Sequence, residues 1–192
     1  GQMFNPGGIR VLLIDLMQEK ISIELRQDLL NRQGGVGVAT RLLQEHLRPD
    51  LDPLHPEQPI VLAIGPMSTV YPVVTKAVAM FRSPLTGELG ESYAGLRIAL
   101  AMRFAGYDAI VIKGKARGPL YLTITPHEVD FRDARAGARR PEAVFRTPHG
   151  CGMVLIAPPG AAPRGKLPGL RGKRFPAQTS GIRFGLALAA AD

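Results

Sequence analysis

The chain has 192 residues, of which 45% are hydrophobic and 21% charged, and it carries a formal net charge of +8. That length and balance suit one globular domain with a substantial core, and they exclude wholesale disorder and two comfortable domains. No apolar run reaches the roughly 18 residues that span a bilayer, and the single cysteine, Cys151, can neither form an internal disulfide nor alone hold zinc or an iron–sulfur cluster.

Ile9 to Leu16 is a mostly apolar, β-branched run and Ile21 to Leu25 alternates strictly, so with Gln18-Glu19 between them the two predict a hairpin. A glycine-rich loop, Gly34-Gly35-Val36-Gly37, opens a helix from about Val38 to Leu47, with Val38, Ala39, Leu42 and Leu43 as its buried stripe. Because a helix N-terminus carries partial positive charge, that loop can present N–H groups to an anion; a tight turn without ligand fits the same residues. Pro49 stops the helix, and the proline-rich stretch Asp50 to Pro59 is a rigid connector. Ile60 to Ile64 and Val73 to Phe81 read as buried strands.

The expected centre of the fold is Ser83 to Lys115. A turn at Ser83-Pro84-Leu85-Thr86-Gly87 precedes a helix from about Tyr93 to Phe104, capped by Ser92 and apolar except for Arg97 and Arg103, which can pair with Glu88, Glu91 or another surface acid. Gly106 stops it in a left-handed conformation, Tyr107 folds back on the last turn, and Ala109 to Lys113 is a strand. Leu120 to Thr125 and Val129 to Arg132 follow as further strands of an antiparallel meander, and Met153 to Ala157 adds one more. Pro158 to Pro176 is irregular and Ile182 to Ala191 is an apolar end. Strands in runs with a few helices predict an α+β fold of antiparallel sheets in a single domain over residues 1–192.

From Arg135 to Arg183 the sequence carries eight Arg and two Lys against one acid, Glu142. Such a run serves nucleic acid, an acidic partner or anionic ligand groups, or is a solvated surface; the scarcity of interleaved aromatics weighs against nucleic acid. His46, His55, His127 and His149 stand alone, without partners at metal-ligand spacing, and no Walker lysine motif or Gly-x-Gly-x-x-Gly follows a strand. The chain reads as a soluble, cytoplasmic protein without a membrane partner.

Several collinear blocks carry a resemblance. Asp52-Pro53-Leu54-His55-Pro56-Glu57-Gln58-Pro59, Gly65-Pro66, Ser83-Pro84-Leu85-Thr86-Gly87, Phe104-Ala105-Gly106-Tyr107-Asp108-Ala109-Ile110 and Gly114-Lys115-Ala116 resemble the N-terminal domain of the tungsten-containing aldehyde ferredoxin oxidoreductases. The resemblance implies an internally duplicated α+β domain that forms the base for a bis-pterin tungsten (tungstopterin, a molybdopterin-type) cofactor. In that family further helical domains supply the cysteines of a [4Fe-4S] cluster and most of the substrate cavity, for aldehyde oxidation with ferredoxin. The cofactor-binding residues it implies here are Gly34, Gly35, Lys76, Gly95 and Arg183, with no catalytic residue and no metal ligand on this chain.

The departures from the family pattern fall on the cofactor loops. Val36 replaces an arginine in the first glycine loop, and Lys76 stands for an arginine, keeping charge but losing the planar fork that grips phosphate bidentately. Tyr93-Ala94-Gly95-Leu96 replaces an Asn-Ser-Gly-Gly run, leaving Gly95 for close backbone approach. Three readings follow: a cofactor-associated subunit or carrier that joins a catalytic or cluster-bearing partner; a non-catalytic interaction scaffold; and, least supported, a nucleic-acid binder. An exposed apolar face predicts a homo-oligomer or hetero-complex.

Overall fold

The computed structural model describes residues 7–32, 34–53, 55–65, 76–83, 86–94, 99, 102–103, 105–115, 117, 120–124, 128–133 and 153–157. The irregular stretch from Pro158 and the apolar end Ile182 to Ala191 lie outside the described residues, as do Arg97, Gly95 and Arg183.

In chain order the elements are β1 (Ile9–Asp15), β2 (Lys20–Arg26), α1 (Gly34–His46), β3 (Ile60–Ile64), β4 (Ala77–Arg82), β5 (Leu89–Ala94), β6 (Ala109–Lys113), β7 (Leu120–Ile124), β8 (Val129–Asp133) and β9 (Met153–Ala157). Six strands form one sheet in the order β2-β1-β6-β3-β4-β5, and three form a second in the order β8-β7-β9. The fold is α+β, as the run of strands predicts.

The central strand β3 is buried at all five positions, so it needs no polar face, and its side chains divide between two cores. Ile60, Leu62 and Ile64 join Leu12, Ile14, Ile110 and Ile112 on one face, covered by Ala99, Met102 and Tyr107 and by Leu122 and Ile124 of β7. Val61 and Ala63 join Val11, Val78 and Val111 on the other, covered by Val38, Ala39, Leu42 and Leu43 of α1. The six-stranded sheet is thus the middle layer of three. Burial of about thirty hydrophobic side chains in two layers is the main stabilising term.

The β1–β2 hairpin forms in full register from Ile9 opposite Arg26 to Asp15 opposite Lys20. Asp15 Oδ1 fixes its turn by accepting from the Met17 and Gln18 N–H groups at 2.9 and 3.0 Å. The helical backbone at Ala99, Met102 and Arg103 ends as expected: Gly106 has φ +84°, its N–H donates to the Arg103 carbonyl, and the Tyr107 N–H donates to that of Met102. This double closure is the Schellman motif, which satisfies carbonyls a helix end leaves free.

Four expectations are corrected. Tyr93 and Ala94 are not the start of a helix, and Ser92 does not cap one; all three belong to β5, which pairs with β4 from Ala77 opposite Ala94 to Arg82 opposite Leu89. The Gly34-Gly35-Val36-Gly37 run is the first turn of α1, not a loop before it. Among the described residues β4 begins at Ala77. The meander does not form either: β6 inserts between β1 and β3, parallel to β1 and antiparallel to β3, while β7 and β8 belong to the other sheet. A mixed sheet follows, because β1 and β6 both direct their apolar alternation at the same two cores.

Candidate functional site

Strand ends meet where β3 finishes. Ile64 lies opposite Ala77, and Ala77 opposite Ala94, so Gly65 just beyond β3 and Lys76 just before β4 share one end of the sheet. Adjacent strands are about 4.8 Å apart, which sets those two residues roughly one strand spacing from each other. The Ile64 N–H donates to the Asp108 carbonyl at 3.0 Å, adding the start of β6 to the same end.

The head of α1 packs directly on this point. A Cβ added at Gly35 would lie 3.1 Å from the Gly65 nitrogen and the Ile64 carbonyl carbon and 3.3 Å from the Ala63 oxygen, all backbone atoms. Gly35 therefore has a packing reason: only a residue without a side chain lets the helix come this close to β3. Gly34 has a different one. Its φ is +69°, and a Cβ there would meet nothing within 4 Å, so the backbone turn requires the glycine while the space in front stays open. The first turn of a helix presents N–H groups without intrahelical partners, and this one contains no acidic residue to occupy them.

Behind the strand end sits a cation. Arg103 donates to the Gly65 carbonyl at 2.9 Å and to Asp108 Oδ1 at 2.6 Å, while Asp108 Oδ2 accepts from the Arg10 N–H at 2.9 Å. The Arg103 Nε is buried and finds no partner among the described residues. Arg10 in turn lies over the Tyr107 ring, 4.9 Å from its centroid. The partner of Arg103 is thus neither Glu88 nor Glu91 but Asp108, next to the Gly106 turn. Sequence reasoning misses Gly65 and Arg103 as members of the site. The signal is present in Gly65-Pro66 and in the Asp that follows Gly106-Tyr107.

Of the five residues singled out from the sequence, Gly34, Gly35 and Lys76 are placed at one end of the main sheet. Lys76 is exposed, as an ordinary strand-flanking lysine would be. Gly95 is bonded to Ala94, the last residue of β5, but like Arg183 it lies outside the described residues.

A separate cavity of about 310 Å³ opens at the other end of α1, lined by Leu13, Lys20, Ser22, His46, Val111 and Lys113 among others. A 13-residue helix is about 20 Å long, so this cavity is remote from Gly34. Half-burial pushes the His46 imidazole below its usual pKa. Among the described residues no group of three or more His, Cys, Asp or Glu is placed to hold a metal ion, and no helix is long and apolar enough to cross a membrane.

Residues 11–160 match the family model of the aldehyde ferredoxin oxidoreductase N-terminal domain. The chain is 33% identical over 160 residues to the tungsten-containing aldehyde ferredoxin oxidoreductase of Pyrococcus furiosus, a match covering 80% of this chain and 26% of that protein. It is 34% identical over 130 residues to an aliphatic sulfonate oxidoreductase, WOR-like subunit, of the same organism, covering 65% and 21%. It is 34% identical over 102 residues to the tungsten-containing enzyme of Pyrococcus horikoshii, covering 53% and 17%. Among solved structures it is similar to the active site complex BamBC of benzoyl coenzyme A reductase in complex with 1,5-dienoyl-CoA, with TM-score 0.62 and 28% identity over 66% of this chain and 20% of that one. The chain spans about a quarter or less of the length of the curated relatives it matches.

Proposed function

The chain belongs to the aldehyde ferredoxin oxidoreductase N-terminal-domain family, and from that membership we propose that it is a pterin-cofactor-associated subunit that acts with a partner chain. The observation that carries this reading is the meeting of Gly35 and Lys76 at one strand end: Gly35 packs on Gly65 and Ile64, and Lys76 flanks Ala77, the cross-strand neighbour of Ile64. A helix head with free N–H groups beside a lysine is an anion-binding arrangement, and pterin cofactors of this class carry phosphate.

The residues fit such a group. The N–H groups of Gly34, Gly35 and Val36 would hold a phosphate, the open space in front of Gly34 would admit it, and Lys76 would neutralise its charge. Arg103 stands behind Gly65 and holds the strand end in place. A bound bis-pterin tungsten or molybdenum centre supplies the two-electron redox chemistry; the described residues contribute binding and positioning. A four-thiolate cluster cannot be built from one cysteine, so the thiolates of any cluster would come from outside these 192 residues. The name of the WOR-like subunit relative supports a multi-chain arrangement.

A second reading is favoured by one specific fact. Gly35 is required for packing whether or not any ligand binds, so its presence also suits a non-catalytic interaction scaffold that has kept the fold.

Elemental analysis for tungsten and molybdenum, with pterin fluorescence after acid oxidation, separates the two on protein purified from its native host. Metal and pterin in fixed ratio to the chain, both reduced severalfold by Lys76→Ala in a folded variant, are the expected result. A folded wild-type chain that carries neither, and that takes up neither when mixed with isolated cofactor, overturns the subunit reading in favour of the scaffold.

A further inference from the structure

The outer edge of the six-stranded sheet is built for another strand. Among the described residues β2 has β1 as its single neighbour, yet Ile21, Ile23 and Leu25 are 40%, 46% and 52% exposed in a row. They lie opposite Ile14, Leu12 and Arg10, on the face of the sheet away from α1. The alternate residues Lys20, Ser22 and Glu24 lie opposite Asp15, Leu13 and Val11, on the α1 face. A long edge with an apolar row is a template for pairing.

We propose that β2 pairs antiparallel with β2 of a second copy of this chain, about a two-fold axis through Ser22. The strand is self-complementary in that register. Lys20 stands opposite Glu24 of the second copy and Glu24 opposite its Lys20, two ion pairs on one face. Ile21 stands opposite Ile23 of the second copy, and the reverse, two apolar pairs on the other. A slip that centres the pair on Ile23 sets Lys20 against Arg26, two cations; one that centres it on Ile21 sets Ile23 against Glu19. Direct cross-strand pairs of opposite charge stabilise and like pairs destabilise, so the charges select the Ser22 register.

The opposite edge is not equivalent. The exposed row of β5 is Leu89, Glu91 and Tyr93, with a carboxylate in its middle, the usual guard against edge pairing. Pairing through β2 makes one twelve-stranded sheet from two six-stranded ones. It leaves Gly35 and Lys76 accessible, because β2 is four strand spacings, about 19 Å, from β4.

Sedimentation equilibrium on the 192-residue chain reads the association directly. Lys20→Glu and Glu24→Lys should each weaken the dimer about tenfold, since each turns two attractive pairs into repulsive ones. An equimolar mixture of the two variants should form a dimer at wild-type strength, because the strand with two carboxylates then faces the strand with two ammonium groups at both positions. In a Cys151→Ser background, Ser22→Cys should oxidise to a disulfide-linked dimer. Glu24→Cys should not, because its two copies stand about 13 Å apart along the strands, beyond disulfide reach. A chain that stays monomeric to its solubility limit, with β2 amides either exchanging freely or protected by some other segment or protein, overturns the proposal. So does a dimer indifferent to the charge variants or cross-linked through position 24.

Discussion

The guanidinium of Arg103 lies 2.6 Å from the carboxylate of Asp108, five residues on and across the Gly106 turn. This one pair fastens four chain segments. Arg103 also holds the Gly65 carbonyl at the end of β3, Asp108 also holds the Arg10 N–H at the start of β1, and Asp108 opens β6. The two side chains are only 12% and 15% exposed, so their interaction is screened far less than a surface pair.

Arg103→Met should therefore destabilise the fold by about 2–3 kcal/mol, because it strands a largely buried carboxylate and a strand-end carbonyl. Urea unfolding followed by circular dichroism measures it. A loss under about 0.5 kcal/mol would mean that the pair behaves like an exposed one.

Gly35 and Gly37 share the first turn of α1 but should respond oppositely to alanine. At Gly35 the new Cβ meets backbone at 3.1 Å, which cannot yield cheaply, so Gly35→Ala should cost about 1–2 kcal/mol. At Gly37 its nearest neighbour is the Arg32 Cβ at 3.4 Å, an ordinary contact, so Gly37→Ala should gain about 0.5 kcal/mol through helix propensity. Paired melting curves test the contrast; two shifts of the same sign would contradict the packing at β3.

His46 gives a pH signature. Burial, the largest cause, lowers its pKa in the fold, with Lys113 and Arg26 also lowering it and Glu45 and Glu24 opposing. The unfolded chain then binds a proton more readily than the folded one. Stability should be full above the ordinary histidine value of 6.5 and fall as pH drops from there through the lowered folded pKa. His46→Gln should flatten this part of the stability profile, and an unchanged slope would assign it to other groups.

Arg26 grips two carboxylates at once. Its Nε and one terminal nitrogen donate to Asp28 at 2.8 and 2.7 Å, and its terminal nitrogens donate to Glu45 of α1 at 2.9 Å each. It holds both acids below their ordinary pKa values. A lysine has no fork to share between them, so Arg26→Lys should cost about 1 kcal/mol at neutral pH. For depressed carboxylates the contribution is present above the unfolded values and lost as pH falls through the folded ones. The difference between wild type and variant should accordingly vanish in acid below the ordinary Glu value of 4.5. Chemical denaturation at both pH values checks it.

Local pattern makes much of this fold readable. The strict alternation from Ile21 to Leu25, the apolar run of β3 and the glycine at position 106 each specify their structure within a few residues. β5 is not readable in that way. Glu88, Glu91 and Ser92 look like helix-start chemistry, yet their backbone is claimed by six cross-strand pairs with β4, and Gly90 lies under the Phe81 ring, where a Cβ would come within 2.7 Å. Tertiary pairing overrides propensity there. The glycine run at the head of α1 misleads for a related reason: it reads as a loop in isolation, while two of its glycines are demanded by a turn and by β3. The site is legible only in part, since Lys76 stands out by charge, but Gly65 and Arg103 acquire meaning when strands distant in sequence are laid side by side.

The place of β6 in the middle of the sheet sets the order in which the molecule can be made. As the chain emerges during synthesis, the β1–β2 hairpin and the β3-β4-β5 trio each have an open, strongly apolar inner edge, and nothing joins them until residue 113 has been produced. Pairing Val11 with Ala109 closes a loop of nearly the whole sheet, a slow, non-local step. The nascent chain is therefore sticky for longer than its size suggests, a natural client for chaperones, and any version shortened before β6 would consist of two half-sheets with their edges bare.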